Sequence, residues 1–338
     1  MVRRSAPSPS IHDVAAAAGV SVMSVSRALR GIEGVSAETR ARIVQLAGEM
    51  GYMPNSNARA LAVTDTKLIG ISLPTLFNDV FADILAGLRR SFDQAGYSSV
   101  IDTTDYETER ELNWAERTLA WQPAALILTG TDHDPRLRDR IARRPVAVLQ
   151  VWDVTETPLD LCVGIDHFAA GITLGRHGVE MGYRRPAYIG APEGRDPRAD
   201  RRFQGIATAF SAAGAAEIRR IAVDGLNSFV AGAEGVRQID PRAPPDVIFF
   251  LTDNMAFGGL MAAETAGLDV PGDMGIIGFN GLDLMSVLPR PITTLHTPRR
   301  QIGLTGAQRL LARLNGVTVP KVTTLDCRLI PGGTTAPR

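Results

Sequence analysis

Residues 10–29 read SIHDVAAAAGVSVMSVSRAL and contain the signals of two short helices. Ser10 followed three positions later by Asp13 resembles a capping box, and apolar residues continue at helical spacing until Gly19 ends the helix. Ser21 is a suitable N-cap for a second helix. Because only a short turn separates the two helices, the stretch predicts a helix-turn-helix unit.

A third helix is predicted after Ser36, with a glycine at its end, and completes a small all-α head. Residues 1–62 carry seven arginines and no lysine against four acidic residues, a net charge of +3. The whole chain has 36 basic and 36 acidic residues, so the remainder has a net charge of −3. This division predicts that only the N-terminal head binds a polyanion.

The second helix has an outward face that suits DNA, because the second helix of such a unit enters the major groove. Arg27 can donate to guanine O6 and N7, and Val22 and Met23 can pack on thymine methyl groups. The alternative is an ordinary amphipathic helix with one solvated arginine. Residues 54–62 are either a plain linker or a helix that forms on DNA, and in the second case Leu61 can wedge into a minor-groove base step.

From Lys67 onward, short apolar runs alternate with amphipathic helical stretches. This alternation predicts two successive parallel α/β units, and therefore a body of two doubly wound lobes. The predicted strands span 68–73, 99–102, 125–128, 146–151, 162–165, 186–189, 218–223, 247–251 and 274–279. A last helix over 299–314 and a strand over 321–330 follow.

The expected domains are a helix-turn-helix domain over residues 1–52, a hinge helix or linker over 53–66, and an effector-binding domain over 67–338. The first lobe is expected over about 67–165 and 292–325, and the second over about 166–291 and 326–338. The segments 151–166 and 281–292, with the strand near Leu325, are the expected crossings between lobes.

No apolar run approaches the ~20 residues of a membrane helix. No apolar core of a signal peptide follows Arg3 and Arg4, so a cytoplasmic location is expected. Cys162 and Cys327 have no metal-ligand spacing, and we expect both to be reduced and buried.

Enzyme motifs are missing from the sequence. We find no GxGxxG after a strand, no GxxxxGK[ST], no GxSxG and no HExxH. Asp132, His133 and Asp134 resemble a metal-binding set, but they more simply start a helix at Pro135. We therefore expect no catalytic activity, no metal and no cofactor.

The chain resembles the LacI/GalR family of transcriptional regulators. In the head the resemblance is carried, in order, by residues 11–15, 18–21, 25–29, 35–40, 51–55 and 58–61. In the body it is carried by residues 69–70, 78–82, 253–258, 278–280 and 330–333. Within the family, residues 76–83, 159–166 and 331–333 are most similar to the repressors of gluconate utilisation.

The resemblance implies a homodimer that binds an inverted-repeat operator in double-stranded DNA, with hinge helices in the central minor groove. It places base reading at Val22, Met23 and Arg27 and the minor-groove leucine at Leu61. Val22 departs from the polar or aromatic residue of some relatives, which affects the operator sequence rather than the binding mode. The candidate DNA-binding residues are Ser21, Val22, Met23, Ser26, Arg27, Tyr52, Asn55 and Leu61.

Ligands of open α/β sheets bind at the carboxyl ends of the strands, and several polar or aromatic residues occur there, among them Trp152 after the fourth strand. The candidate effector-binding residues are Asn78, Phe81, Gln150, Arg198, Arg202, Asp253 and Asn280. The alternative is that Asp253 only caps a helix and that the arginines coat a solvated loop. The resemblance implies a pocket between the lobes, with a ligand-gripping arginine at Arg202 and a hydroxyl-binding aspartate replaced by Asn280.

Losing that carboxylate while retaining Arg202 makes the cleft less negative and favours an anionic ligand. A sugar acid such as gluconate or a phosphorylated sugar is therefore expected, with Asp253 available for hydroxyl groups. Three alternatives remain: a regulator that responds to a neutral sugar, a secreted sugar-binding protein, and an α/β enzyme with a fused regulatory head. The missing signal peptide and the head oppose the secreted protein.

Overall fold

A computed structural model describes residues 9–29, 31–52, 66–144, 146–225 and 228–338. The chain divides into two compact units, Met1–Thr66 and Lys67–Arg338. Most of the predicted hinge, including Asn55 and Leu61, lies outside the described residues.

The head contains three helices, α1 (Ile11–Ala18), α2 (Val22–Leu29) and α3 (Ala37–Glu49). The predicted capping box is present at the start of α1. The Ser10 hydroxyl accepts from the Asp13 amide at 3.3 Å, and the Asp13 carboxylate accepts from the Ser10 amide at 2.7 Å. Gly19 ends α1 in the left-handed conformation at φ 62°, as predicted.

The other two head helices are also capped by serines, since Ser21 accepts from the Ser24 amide at 3.1 Å and Ser36 from the Thr39 amide at 3.2 Å. Arg42 donates to the Ala18 carbonyl at 2.5 Å and thereby ties α3 to the end of α1. The helices enclose a small apolar core: Val14, Ala15, Ala18, Val25, Ala28, Ile43 and Ala47.

The body follows the predicted alternation of strands and helices. Its elements in chain order are β1 (Leu68–Leu73), α4 (Asp79–Gln94), β2 (Ser98–Thr103), α5 (Thr108–Ala120), β3 (Ala125–Thr129), α6 (Pro135–Arg143), β4 (Ala147–Asp153), β5 (Leu161–Ile165), α7 (His167–Glu180), β6 (Pro186–Gly190), α8 (Pro197–Ala212), β7 (Arg219–Ala222), α9 (Phe229–Arg237), β8 (Val247–Phe250), α10 (Asp253–Thr265), β9 (Gly275–Asn280), α11 (Asp283–Ser286), β10 (Thr293–His296), α12 (Arg299–Leu314), β11 (Val322–Thr324) and β12 (Arg328–Ile330).

Each lobe is built on one six-stranded sheet. The first sheet has the order β11-β5-β4-β3-β1-β2, and the second has the order β12-β10-β9-β8-β6-β7. The strands of the first sheet are parallel, and in the second only β12 is antiparallel to its neighbour. Central strands such as β9 are buried along their whole length, which is typical of parallel sheets covered on both faces.

The end of the chain crosses between lobes later than expected. The first lobe was expected to resume near residue 292, but β10 pairs with β9 in the second sheet, with Thr293 opposite Ile277. The return to the first lobe therefore falls between His296 and Arg299. The single last strand expected over 321–330 is divided into β11 and β12, one in each sheet.

Helices α7 and α8 of the second lobe cross at two glycines. A Cβ atom added to Gly171 would lie 2.2 Å from the Arg202 carbonyl oxygen, and one added to Gly205 would lie 2.2 Å from the Phe168 carbonyl oxygen. Even alanine would therefore force the backbones apart. The two helices touch backbone to backbone beside Arg202.

Within the part of the chain that the structure describes, no helix combines the length and apolar character needed to cross a bilayer. Cys162 is buried and Cys327 is partly exposed, so the burial expected of Cys327 is only partial. Burial raises the pKa of both thiols to about 12, which keeps them protonated and unreactive at neutral pH.

Candidate functional site

The predicted DNA-reading helix has the expected two faces. Val25 and Ala28 of α2 are buried, whereas Met23 and Arg27 are exposed. Val22 differs from the expectation of an outward residue, because its side chain is partly buried and packs against the head core. The remaining described candidates are the exposed Ser21 and the partly buried Ser26 and Tyr52. Tyr52 also packs against the head core.

A small cavity of about 30 Å³ lies between the two lobes of the body. Five of the predicted effector-binding residues line it: Asn78, Phe81, Arg198, Arg202 and Asn280. The fold explains this convergence, since these residues lie at strand ends or on the first two turns of the helices that come after them.

Gln150 and Asp253, also predicted for this site, do not line the cavity. The Gln150 side-chain oxygen accepts from the Leu159 amide at 2.7 Å and so holds the β4–β5 connection. The buried Asp253 carboxylate accepts from the Thr294 hydroxyl at 2.6 Å and from the Leu282 amide at 2.7 Å. Both side chains join neighbouring segments within one lobe, and their predicted contact with a ligand stays a prediction.

Several cavity-lining residues were not among the predicted set: Val80, Tyr106, Asp196, Leu251, Thr252 and Phe279. Tyr106 adopts a left-handed backbone at φ 64°, and its ring packs against Phe81 at 6.4 Å between centroids. It follows the end of β2, so a search of that strand end would have found it. Trp152, which the sequence indicated as an aromatic candidate at the end of the fourth predicted strand, lies at the end of β4 and lines the cavity.

Three arginines of α8 lie at the cleft and differ in their partners. Arg198 donates to Asp196 at 3.0 Å, and Arg201 donates to Asp132 at 2.9 Å and also to Asp153. Arg202 has no carboxylate within ion-pair distance among the described residues. Its guanidinium instead lies 4.2 Å from the centroid of the Phe279 ring and 2.9 Å from Nδ1 of His167.

His167 orients Arg202 without neutralising it. Burial, together with the charges of Arg202 and its two arginine neighbours, lowers the pKa of His167 well below its ordinary value of 6.5. The imidazole is therefore neutral at pH 7. Because a guanidinium has only donors, Nδ1 must accept its hydrogen bond, which leaves the ring proton on Nε2.

Arg202 shares its buried surroundings with Arg198 and Asp196. Although burial opposes ionisation, the charges of Arg198 and Arg202 lower the pKa of Asp196. That carboxylate is therefore ionised, but its hydrogen bonds go to Arg198. The cleft thus holds a buried guanidinium whose charge remains available to a ligand.

Asn280 ends β9 with an unusual backbone at φ 117°. Its side chain is almost fully buried, and its Oδ1 atom has no hydrogen-bond partner among the described residues. A buried polar atom without a partner is costly, and at a cavity wall it suits a ligand that donates a hydrogen bond.

A second cavity, of about 280 Å³, adjoins the first and shares Tyr106 and Arg198 with it. Its first-lobe wall includes Glu111, whose carboxylate lies 2.6 Å from Nδ1 of His133. Among the described residues, no three histidine, cysteine or acidic side chains are placed to hold a metal ion.

A helix-turn-helix head followed by a two-lobed α/β body with a polar cleft defines a ligand-responsive DNA-binding regulator. Residues 10–55 match the model of bacterial regulatory proteins of the lacI family, and residues 176–335 match that of a periplasmic binding protein-like domain. The chain is 36% identical to the HTH-type transcriptional regulator GntR of Escherichia coli K12 over 96% of this chain and 98% of that protein. It is 30% identical to the HTH-type transcriptional repressor CytR of Escherichia coli K12 over 96% of both chains.

Solved structures agree. A LacI-family transcriptional regulator from Silicibacter pomeroyi superimposes with a TM-score of 0.90 at 32% identity, covering 97% of this chain and 99% of that one. The lac repressor dimer bound to operator and the anti-inducer ONPF has the same fold, with a TM-score of 0.81 at 24% identity over 97% of this chain and 99% of that one. The chain belongs to the lacI family of bacterial regulatory proteins. It is a transcriptional regulator and not an enzyme. The structure confirms the predicted fold class, and the matches confirm the resemblance to the family.

Proposed function

We propose that this regulator is a repressor whose operator affinity is set by an anionic sugar derivative bound in the cleft. The expected ligands are a sugar acid such as gluconate or a phosphorylated sugar. The observation that carries the proposal is the buried guanidinium of Arg202, which has an aromatic ring and a neutral imidazole as neighbours but no carboxylate within ion-pair distance among the described residues.

Physical chemistry favours an anion at this position. A buried charge without an ion-pair partner is unfavourable, and a carboxylate or phosphate would supply that partner. The planar guanidinium can bind either group with two parallel hydrogen bonds. Asn280, which lines the cavity and has an unpartnered Oδ1 atom among the described residues, would accept a hydrogen bond from a ligand hydroxyl. The match to GntR over nearly the whole chain supports the same class of ligand.

The proposed DNA complex is a homodimer on an inverted repeat, in which Arg27 reads a guanine and Leu61 enters the minor groove. Apolar side chains exposed on neighbouring elements of the second lobe support self-association: Phe229, Val230, Met261, Leu284 and Val287. Such a surface is better covered by a second copy than by water. A DNA-binding role also supports the proposed cytoplasmic location.

The proposed mechanism couples two equilibria. Ligand binding changes the angle between the lobes, and the hinge over residues 53–66 then gains or loses helix. Coupling of this kind is typically worth ~1–3 kcal/mol and is reciprocal between ligand and DNA.

The test is calorimetry of the full chain with gluconate, glucose 6-phosphate and glucose. Glucose is the uncharged match, so either anion should bind while glucose binds at least tenfold more weakly. Arg202→Lys keeps the charge but loses the planar fork, and it should weaken anion binding while ligand-free operator affinity stays unchanged. Tighter binding of glucose than of gluconate and glucose 6-phosphate would show that the anion proposal is wrong.

A further inference from the structure

Arg299, the first residue of α12, connects the two lobes through a buried guanidinium. Its Nε atom donates to the Asp83 carboxylate of α4 at 2.9 Å, within the first lobe. Its Nη1 atom donates to the backbone carbonyl of Asn280, at the end of β9 in the second lobe. One side chain therefore contacts a helix of one lobe and the cleft-lining strand end of the other.

The carbonyl that Arg299 holds belongs to a residue in a costly conformation. A φ of 117° favours glycine, and an asparagine remains there only when its surroundings hold it. The Asn280 carbonyl also accepts from the Thr297 amide at 3.2 Å and from the Thr297 hydroxyl at 3.3 Å. The Thr297 hydroxyl in turn lies 3.3 Å from Nη1 of Arg299.

This backbone determines where the Asn280 side chain points. Because the direction of the Cα–Cβ bond follows φ, relaxation of φ to a negative value would turn the side chain away from its present place. The side chain of this cavity-lining residue, with its buried and unpartnered Oδ1 atom, would then leave its present place at the cleft.

We propose that Arg299 is a positioning residue for the effector site: it clamps the carbonyl of Asn280, keeps that residue in its left-handed conformation and thereby aims its amide into the cleft. Through Asp83 the same clamp links the cleft to helix α4 of the first lobe. The part of this inference that concerns ligand affinity rests on the proposed function, whereas the effect on Asn280 itself does not.

The first measurement needs no ligand. A crystal structure of full-length Arg299→Gln should show Asn280 at a negative φ with its carbonyl turned, because glutamine at this position cannot reach both Asp83 and the carbonyl. Arg300→Gln is the matched control, since Arg300 is the exposed neighbour on the same helix. An Asn280 backbone that is unchanged in Arg299→Gln would overturn the proposal. If this variant does not fold, Arg299→Lys, which retains the charge but not the fork, replaces it in the same comparison.

The second measurement is a double-mutant cycle by calorimetry with gluconate. Arg299→Gln should weaken binding by roughly five- to tenfold, the loss expected for one hydrogen-bonding group. In an Asn280→Gly background the same substitution should change the dissociation constant by less than about twofold, because its effect passes through the Asn280 side chain. Equal losses in both backgrounds would overturn the positioning role and leave Arg299 a stabilising residue only.

The two failures are distinguishable. If the wild-type chain does not bind gluconate, that result counts against the proposed ligand, and the crystal structure of Arg299→Gln still decides whether Arg299 positions Asn280.

Discussion

Arg201 of the second lobe donates to Asp132 of the first lobe across 2.9 Å, and its guanidinium also reaches Asp153. Asp153 is almost fully buried, and this burial raises its pKa although the charge of Arg201 opposes the rise. These ion pairs hold the lobes together on the side of the cleft that α8 covers. Opening the lobes would expose the buried Asp153 carboxylate to water, whereas Asp132 is already exposed.

Arg201→Gln should therefore shift the ligand-free protein towards open lobes. Small-angle X-ray scattering should show a larger radius of gyration, and gluconate should bind a few-fold more weakly because the closed state is less populated. Arg237→Gln is a suitable control, since Arg237 pairs with Glu234 within a single helix. Scattering identical to that of the wild type would contradict this role.

His167→Asp and His167→Asn form a matched pair of similar size. Aspartate places a counter-charge beside Arg202 and should abolish most gluconate binding. Asparagine keeps a neutral acceptor and should weaken gluconate binding only a few-fold. Calorimetry measures both. Equal losses would mean that the position requires the imidazole shape and that the charge of Arg202 does not decide binding.

Asn280→Asp adds a buried negative charge to the cleft wall. It should weaken the binding of gluconate and improve the relative binding of glucose, because like charges repel strongly when buried. The ratio of the two dissociation constants is the measurement, and an unchanged ratio would rule out a direct contact between Asn280 and the ligand.

Arg27→Ala tests the DNA-reading helix, where Arg27 is exposed. If it reads a guanine, the variant should lose roughly 1–3 kcal/mol of operator binding and tolerate other base pairs at one position. Fluorescence anisotropy with operator variants and random DNA distinguishes the roles. A loss of the same size on random DNA would make Arg27 a phosphate contact.

Asp253 predicts a pH dependence of stability. Burial raises its pKa from 3.8 to about 6, so between these values the folded chain binds more protons than the unfolded chain. Its contribution to stability is therefore complete below pH 3.8 and is lost as the pH rises through about 6. Urea unfolding from pH 4 to pH 7 should show this slope in the wild type, by up to ~1.4 kcal/mol per pH unit. In Asp253→Asn the slope should be smaller, and an equal slope in both proteins would refute the assignment.

The sequence predicted the strands that are apolar runs, and β1 has the predicted bounds. It did not predict β10, because Thr293 and Thr294 interrupt the apolar pattern. Both threonines are buried, and their hydroxyls form hydrogen bonds with partners that only the folded chain brings close to them. Helix caps were predictable because a cap is a local arrangement of a few neighbouring residues, as at Ser10 and Ser36.

The candidate site was predictable only in part, because the sequence indicates where a residue lies but not which partners it has. Position at a strand end identified Asn78 and Asn280, and the family resemblance identified Arg202. Neither signal tells which side chains are already bonded within the protein. Asp253 and Gln150 satisfy their polar atoms within a lobe, and this depends on partners distant in sequence such as Thr294. A side chain's availability is thus a property of the packed structure.

The crossing of α7 and α8 at Gly171 and Gly205 has a consequence for anyone who adapts this regulator as a biosensor. Gly171 lies against the backbone carbonyl of Arg202, so a residue without a side chain fixes how far that arginine extends into the cleft. Libraries of variants designed to bind new ligands can vary the cavity-lining residues while both glycines are kept, so that the two helices stay at the same distance. Randomising the glycines would displace the arginine itself, so that the position of its guanidinium in the cleft would differ from one variant to the next.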